Sequence, residues 1–324
     1  MSGDTELLWE VAVGSGAEAY SLTTDDGRIF LAANDGGLVR LGADGQVVWE
    51  ALDRSESVRA SPLVDGDTVY TAGRTVFAVS AGTGATRWTA GETYGSVELF
   101  LRDDTLYAVG GGVFAVDLDT HRVEKRSDVP TSPQSLGTVG ATVFDGVAYV
   151  ATDGGLLMNR RLADGEPIWR ERTFGYSSVT PPVAGDETLF VGTDDGVRAV
   201  DPATGADRWV AAGTTSGDAL SQRVTDGTLY GFGAGTLHAV TTDGTVQWST
   251  PVKAKYGVDL AVGDDRVFLA TADRVTAFDR ATGRQQWRVT FGGGEFGSVE
   301  SVAFLPDPPV VVVVSRADAV GLRA

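Results

Sequence analysis

The stretch AVDPATGADRW, residues 199–209, recurs at two other places in the chain. It reads AVSAGTGATRW at 78–88 and AFDRATGRQQW at 277–287. Tryptophans stand at positions 9, 49, 88, 169, 209, 248 and 287, mostly 39 or 40 residues apart, with one gap of 81. Inside that gap AVDLDTHRVEK (115–125) fits the pattern with Lys125 in the tryptophan position. A period near 40 residues with alternating apolar residues predicts propeller blades of four short strands.

The repeat at 170–209 shows the four strands most clearly. They read SSVTPPVAG, ETLFVGT, GVRAVDP and DRWVAAG, and the turn sequences GDE, TDDG and PATG separate them. Gly and Asp are the residues that tight hairpin turns require. Helical periodicity is not evident anywhere in the chain, so the pattern predicts an all-β fold of four-stranded antiparallel blades.

The two ends of the chain complete one another. Three strands follow Trp287 (SVESVAF, PVVVVVS and DAVGLRA), and the chain opens with an unpaired fourth strand, ELLWEVAV. We expect this N-terminal strand to join the three C-terminal strands and close the ring without an exposed edge. The prediction is a single eight-bladed propeller over residues 1–324, with an eighth blade shared between 297–324 and 5–13. The seven complete repeats end near Trp49, Trp88, Lys125, Trp169, Trp209, Trp248 and Trp287.

Each residue that recurs in the repeats of this chain has a structural reason. The Ala suits a tight inner position, the Thr-Gly pair makes the turn into the outer strand, and Gly covers positive φ. The Trp on the outer strand can wedge between neighbouring blades, and we expect this docking role for Trp9, Trp49, Trp88, Trp169, Trp209, Trp248 and Trp287. On the same reasoning, Lys125→Trp should be tolerated or stabilising.

The pattern A-x-D-x-x-T-G-x-x-x-W resembles the tryptophan-docking motif of the pyrroloquinoline quinone (PQQ)-type β-propeller repeat family. Complete matches lie at 199–209 and 277–287, and 78–88 has Ser80 in the Asp position. The copy at 115–125 has His121 and Lys125 where Gly and Trp belong. Degenerate copies stand at 39–49, 159–169 and 238–248.

This resemblance implies one of two kinds of protein. Quinoprotein dehydrogenases of the family bind PQQ and Ca²⁺ on the propeller axis, are much longer, and in the alcohol dehydrogenases cover the quinone with a disulfide. The scaffold-like branch includes the non-catalytic, eight-bladed barrel-assembly lipoprotein of Gram-negative outer membranes. A chain of 324 residues without Cys is closer to the scaffold-like branch.

Composition points to an acidic surface. The chain carries 31 Asp and 13 Glu against 23 Arg and only 3 Lys, for a net charge of −18. Because turn chemistry does not explain the scarcity of Lys, we expect a haloarchaeal type of surface; the alternative is an ordinary acidic protein rich in Asp turns. A chain this acidic, without a basic patch, is not expected to bind nucleic acid.

The compartment is expected to be the cytoplasm. The opening MSGDTELLWEVAV has no basic and apolar signal region, although an exported form would result if a leader had been removed. The run VVVVV at 310–314 is too short to span a bilayer and reads as a buried strand, so we expect no membrane insertion. We also expect the chain to be monomeric on its own.

Catalytic chemistry finds little support in the sequence. The two histidines, His121 in a turn and His238 at the start of a strand, are expected to be structural. Aspartates cluster at hairpin positions without a D-x-D-x-D-G loop, so we interpret them as turn residues and expect no metal site and no catalytic residue. We expect no cofactor, with PQQ and calcium as the alternative.

One recurring feature indicates a binding surface. Where a fourth strand passes to the next first strand, an aromatic residue stands beside Gly or Ser, and these crossings converge around the channel mouth. A ligand or partner peptide could bind there; the alternative is that these aromatics pack between blades. The candidate residues are Tyr94, Glu98, Tyr176, Lys255, Tyr256, Asp259, Phe296 and Glu300, with Arg59 and Arg223 nearby. The sequence thus favours a non-catalytic scaffold that binds another protein or peptide, with a quinone-binding redox protein as the alternative.

Overall fold

Most of the chain is described by a computed structural model. The described residues are 2–3, 5–13, 20–33, 37–52, 58–93, 98–129, 138–174, 179–185, 187–212, 221–233, 235–254, 259–291, 298–315 and 318–324.

The described residues form β-strands and turns, without a helix. In chain order the strands are β1 Ser2–Gly3, β2 Leu7–Ala12, β3 Tyr20–Asp25, β4 Arg28–Ala33, β5 Leu38–Gly42, β6 Val47–Ala51, β7 Leu63–Asp65, β8 Thr68–Ala72, β9 Thr75–Ser80, β10 Thr86–Glu92, β11 Glu98–Arg102, β12 Thr105–Val109, β13 Gly112–Asp117, β14 Val123–Asp128, β15 Thr138–Phe144, β16 Val147–Thr152, β17 Leu156–Arg161, β18 Arg172–Thr173, β19 Val183–Ala184, β20 Leu189–Thr193, β21 Gly196–Val200, β22 Asp207–Ala212, β23 Gln222–Thr225, β24 Thr228–Gly233, β25 Thr236–Thr241, β26 Val246–Pro251, β27 Asp259–Val262, β28 Arg266–Thr271, β29 Arg274–Asp279, β30 Gln285–Thr290, β31 Val299–Leu305, β32 Val310–Ser315 and β33 Asp318–Arg323.

These strands form eight antiparallel sheets, which are the blades. Blade 1 is β3–β6, blade 2 is β7–β10, blade 3 is β11–β14, blade 4 is β15–β18, blade 5 is β19–β22, blade 6 is β23–β26, blade 7 is β27–β30 with β1, and blade 8 is β31–β33 with β2. The predicted all-β, eight-bladed β-propeller of four-stranded blades is confirmed.

The blades fall into two compact units. Met1–Glu92 and Val258–Ala324 hold blades 1, 2, 7 and 8, whereas Thr93–Gly257 holds blades 3 to 6. Within the first unit, the first strand of blade 8 contacts the first strands of blades 7 and 1; within the second, the first strands contact one another in chain order. Stacking of neighbouring sheets is what buries faces that no single sheet could bury alone.

Blade 8 is completed by the N-terminal strand, as predicted. β2 pairs antiparallel with β33, and Trp9 lies opposite Gly321. A feature that the sequence did not predict is β1, which adds a fifth strand to the outer edge of β30, with Ser2 opposite Thr290. The outer edge of a blade in this chain therefore accepts a further strand.

Burial differs between inner and outer strands. The middle strands β16 and β32 are buried at every position, whereas in the outer strands β6 and β26 a single buried Trp stands among exposed and partly buried residues. A middle strand has a blade on both faces and reads as a continuous apolar run such as VVVVV, while an outer strand meets solvent on one face.

A recurrent bulge orients the tryptophans. In six outer strands the register shifts at the residue before Trp, which leaves that residue without an opposite partner. A bulge bends and twists the strand locally, so the following side chain is re-aimed. The bulged residues are Leu8, Val48, Arg87, Arg208, Gln247 and Gln286.

Trp169 shows what the docked indole contacts. Its Nε1 donates to the carbonyl of Pro202 in the next blade at 2.8 Å, and a Cβ on Gly205 would lie 2.8 Å from its ring. Tyr149 stacks on the indole with ring centroids 6.2 Å apart. The turn Gly of one repeat therefore receives the Trp of the repeat before it. The same indole-to-carbonyl bond joins Trp9 to Ala43, Trp49 to Ala81 and Trp209 to Thr242.

The Asp and Thr of the motif hold that turn together. Asp201 Oδ1 accepts hydrogen bonds from the backbone N and the Oγ1 of Thr204, both at 2.9 Å. Asp279 makes the same two bonds to Thr282. Short polar side chains that satisfy nearby backbone donors are typical of such turns.

Blade 3 departs from its sisters at Lys125. In blade 5 Ala199 pairs with Trp209, but in blade 3 Ala115 pairs with Glu124, so Lys125 lies opposite Phe114. The bulge has moved toward the end of β14, and successive residues of a strand face opposite sides. Lys125 therefore does not occupy the tryptophan position that the spacing predicted.

Candidate functional site

The predicted binding residues divide into two groups. Glu98, Asp259 and Glu300 lie within the described part of the chain, on β11, β27 and β31. Tyr94, Tyr176, Lys255, Tyr256 and Phe296 lie outside the described residues. The aromatic part of the predicted surface therefore stays a prediction.

Glu98 connects the inner strands of blades 3 and 4 in the second unit. Its Oε1 accepts a hydrogen bond from the backbone N of Ala141 at 3.0 Å. A Cβ on Gly140 would lie only 2.8 Å from the same oxygen, so glycine gives the carboxylate room. Burial raises the pKa of Glu98, although the Ala141 bond and the charge of Arg223 oppose that shift.

Asp259 makes the equivalent connection in the first unit. Its Oδ2 accepts from Val302 N at 3.1 Å and from Ser301 Oγ at 2.8 Å, while Oδ1 accepts from Leu260 N. Glu98 and Asp259 each bond the backbone 43 residues further along, in the first strand of the following blade. Each carboxylate is therefore held by a contact between neighbouring blades, in which the two bonded residues are about one repeat apart in the sequence.

A third inner-strand contact joins blades 5 and 6. Gln222 Nε2 donates to Thr180 Oγ1, which in turn accepts from Gly192 N at 2.8 Å. Both side chains are buried. They line a cavity of about 10 Å³, and His238 lines the same cavity. Within the described ranges of the chain, the Gln222 Oε1 atom has no hydrogen-bond partner. This polar pair could not be predicted from the sequence, because Thr and Gln in strands form no recognisable motif.

His238 lies on β25 and contacts a side chain of the neighbouring strand. Its Nδ1 lies 2.8 Å from Ser249 Oγ, and burial lowers its pKa, which favours the neutral ring. His121 takes a positive φ of 56° in the turn position where sister blades have glycine. In the part of the chain that the structure describes, no three His, Asp or Glu side chains converge to hold a metal ion.

Glu300 lies beside these contacts on the same strand as Ser301. It is half-buried on β31, one residue before Ser301, whose hydroxyl bonds Asp259. The register between β31 and β32 shifts between Val299 and Ser301, so Glu300 lies at a β-bulge.

A groove at the outer rim was not predicted from the sequence. It lies between blades 8 and 1, within the first unit, and has a volume of about 480 Å³. Its walls are Leu8, Trp9, Ala43, Asp44, Pro308, Pro309, Val310 and Arg323. The signal in the sequence is the pair LL before Trp9, since the repeats that end at Trp88, Trp209, Trp248 and Trp287 have Arg or Gln at the second of these positions.

The described residues contain no helix that is long and apolar enough to cross a lipid bilayer.

Comparison with known proteins gives one family. The family described as "Outer membrane protein assembly factor BamB" matches residues 2–137, 125–254 and 197–323. BamB from Burkholderia pseudomallei (strain K96243) is 29% identical over 232 residues, which is 63% of this chain and 57% of that protein. The serine/threonine-protein kinase AfsK of Streptomyces griseus is 32% identical over 165 residues, 44% of this chain and 20% of the kinase. The chain thus aligns with little more than half of one curated relative and a fifth of the other.

Solved structures share the fold at low identity. The computationally designed Ika8 protein superposes with a TM-score of 0.77 at 16% identity, covering 96% of this chain and 97% of that one. BamB from Moraxella catarrhalis superposes with a TM-score of 0.76 at 14% identity, covering 99% and 100%. The repeat motif, the eight four-stranded blades and the match that runs from residue 2 to 323 agree, and the chain belongs to the BamB family of PQQ-like repeat β-propellers.

Proposed function

We propose that this protein is a non-catalytic scaffold that binds another protein. The observation that carries the proposal is the family match across the whole chain, to proteins named for their part in outer membrane protein assembly. A rigid stack of blades with a polar, acidic exterior suits presentation of a binding surface. Only this manner of use is proposed for the chain; the partner need not belong to an outer membrane.

Affinity capture from the native host tests the scaffold. The tagged protein should retain one partner in stoichiometric amount from lysate kept at high salt, which preserves an acidic fold and screens non-specific attraction. An unrelated acidic protein of similar net charge is the control bait. Recovery of the same proteins by both baits would contradict a specific scaffold.

The alternative is a redox protein that holds a quinone near the channel. PQQ and Ca²⁺ should raise the unfolding temperature of such a protein, because a ligand that binds only the folded state stabilises it. We expect no change in unfolding temperature, and a shift of several degrees that needs both PQQ and Ca²⁺ would favour the alternative. Calcium alone is the control for general screening by a divalent ion.

The cytoplasmic location and the monomeric state are parts of the same proposal. Fractionation of native cells should recover the protein with cytoplasmic markers. Light scattering after size-exclusion chromatography should give the 33.8 kDa mass of one chain.

A further inference from the structure

The exposed apolar side chains concentrate on the outer strands of two neighbouring blades. Across the residues that the structure describes, the exposed large apolar side chains all lie on outer strands. Four of them belong to blades 8 and 1, namely Leu7, Leu8, Val47 and Val48. The others are Val210 and Val246. The bulge position before Trp is Arg or Gln in blades 2, 5, 6 and 7 but Leu8 and Val48 here. Because each of the other blades has at most one such side chain among the described residues, a paired apolar rim is not a general need of the fold.

The groove between these two blades adds depth to the apolar rim. Leu8 and Trp9 form one wall, Pro308 and Pro309 a second, and Ala43 a third. At about 480 Å³ it lies within the range of sites that seat a ligand or a large side chain. Trp9 is only partly buried, so part of its indole is accessible to a bound ligand or side chain.

The strand that bounds the groove has an edge that can accept another strand. β2 is the last strand of its sheet, and in the described part of the chain nothing pairs with its outer side. On the neighbouring blade 7 the equivalent edge, that of β30, is occupied by β1. Because a strand edge presents unpaired backbone donors and acceptors, an extended peptide can add to it.

The charges around the groove determine which charge on a bound segment is favoured. Asp44 lies in its wall, and Glu6, Glu10 and Asp307 are exposed nearby. Arg323 is the positive group in the wall, and its Nε is engaged by Glu6 Oε2 at 2.7 Å. The net local charge is negative, which attracts a basic side chain and repels an acidic one.

We propose that the groove between blades 8 and 1 binds an extended segment of a partner protein, which adds to the edge of β2. The segment has apolar side chains at alternate positions, one of which enters the groove, and a Lys or Arg beside them that faces Asp44. This inference rests on the scaffold function and assigns the scaffold's binding surface to the rim.

Fluorescence anisotropy with a defined peptide tests the groove. The probe is a labelled eight-residue peptide in which Val and Phe alternate with Thr and one Thr is replaced by Lys; a second peptide has Glu in place of Lys. The Lys peptide should bind in a saturable manner and more tightly than the Glu peptide. Failure of the wild-type protein to bind the Lys peptide, or preference for the Glu peptide, would overturn the proposal.

Three variants locate the binding. Leu8→Arg introduces the residue that blades 2 and 5 carry at this bulge, so it is compatible with the fold, and it should weaken binding by at least about tenfold. Asp44→Asn keeps the acceptor for Gln46 N but removes the charge, and should cost about threefold at low salt. Val246→Arg places the same Arg on β26 and should change binding by less than about twofold. Equal weakening by Leu8→Arg and Val246→Arg would overturn the assignment.

Two further measurements separate the groove from the scaffold function. If Leu8→Arg loses the partner captured at high salt while Val246→Arg keeps it, the groove is supported. If both variants keep the partner, the groove is wrong although the scaffold function stands; if the wild type captures none, the scaffold function itself fails. A concentration-dependent dimer that Leu8→Arg abolishes would assign the groove to a second copy and overturn the peptide proposal.

Discussion

At the scale of one residue, the turn glycine of the motif shows why the same residue recurs from repeat to repeat. Gly205 has a φ of 71°, and any side chain there would also meet the indole of Trp169. Two constraints therefore exclude a Cβ at this position: the positive φ of the residue itself and the indole of the preceding repeat. His121 occupies the equivalent turn position in blade 3 with a φ of 56°, so it bears the conformational cost that glycine avoids.

Substitution at these two turns should act in opposite directions. Gly205→Ala should lower the free energy of unfolding by more than about 1 kcal/mol, because it adds left-handed strain and a contact with the indole. His121→Gly should raise it by about 0.5 kcal/mol, since relief of strain exceeds the entropy that glycine adds to the unfolded chain. Urea denaturation of both variants measures the two effects. A His121→Gly protein less stable than the wild type would contradict the account of this turn.

Glu98 should make the stability of the protein depend on pH, and one isosteric variant can isolate this contribution. Its pKa is raised above the ordinary 4.5 in the folded protein by burial, so the folded state holds the proton more tightly than the unfolded state. Stability from this group is therefore complete below about pH 4.5 and is lost as the pH rises through the raised pKa. Glu98→Gln keeps an acceptor for Ala141 N and removes the titration.

The measurement is the unfolding temperature of both proteins between pH 4.5 and 7.5. We expect Glu98→Gln to equal the wild type at the acid end and to be more stable at the neutral end. Asp318, whose pKa burial also raises, is present in both proteins and cancels in the difference. A difference that does not change with pH would show that Glu98 is already ionised without cost.

At the scale of one element, β14 departs from the repeat. Its bulge is displaced, Lys125 lies over the ring of Phe114, and the Lys125 ammonium is paired with the Asp128 carboxylate. Beyond it, a Cβ on Gly165 would overlap the carbonyl oxygen of Arg126 rather than an indole. Backbone thus fills the space in which an indole lies beside Gly45, Gly84, Gly205 and Gly244.

Lys125→Trp should therefore be tolerated without being stabilising, in contrast to the gain that the repeat spacing allows. We expect a change in the free energy of unfolding within about 0.5 kcal/mol, as for an exposed surface position. Gly165→Ala is the companion variant and should be severely destabilising, because its Cβ meets backbone that cannot rotate away. Thermal denaturation of both checks this, and a clear gain in stability for Lys125→Trp would mean that the indole finds a docking position.

At the scale of the whole molecule, charge is the dominant property. A net charge of −18 repels itself in dilute buffer, and salt screens that repulsion. Several exposed ion pairs, such as Arg87 with Asp67 and Arg208 with Asp201, offset little of it because each contributes only modestly.

Stability should therefore rise with ionic strength. We expect the unfolding temperature to increase by several degrees between millimolar and molar KCl, with most of the rise at low concentrations where the Debye length shortens fastest. Sucrose, which stabilises by exclusion without screening charge, is the control. An unfolding temperature indifferent to salt would refute the expectation of a halophilic surface.

The fold could be predicted from the sequence because its information is periodic. Seven tryptophans at regular spacing, turn residues between short apolar runs, and a lone first strand beside three last strands specify eight blades and their closure. Each of these signals acts between residues that are near in sequence or one repeat apart, which a single chain displays directly.

The partners of side chains were decided by tertiary structure. The sequence marks Glu98 and Asp259 as candidate binding residues, but only the structure shows that both carboxylates accept hydrogen bonds from the backbone 43 residues further on. The position of the bulge in β14 and the groove between blades 8 and 1 were likewise invisible, since register and surface depth depend on how sheets stack. Local propensity and period determine which strands form, whereas contacts between distant strands determine which side chains remain free to bind.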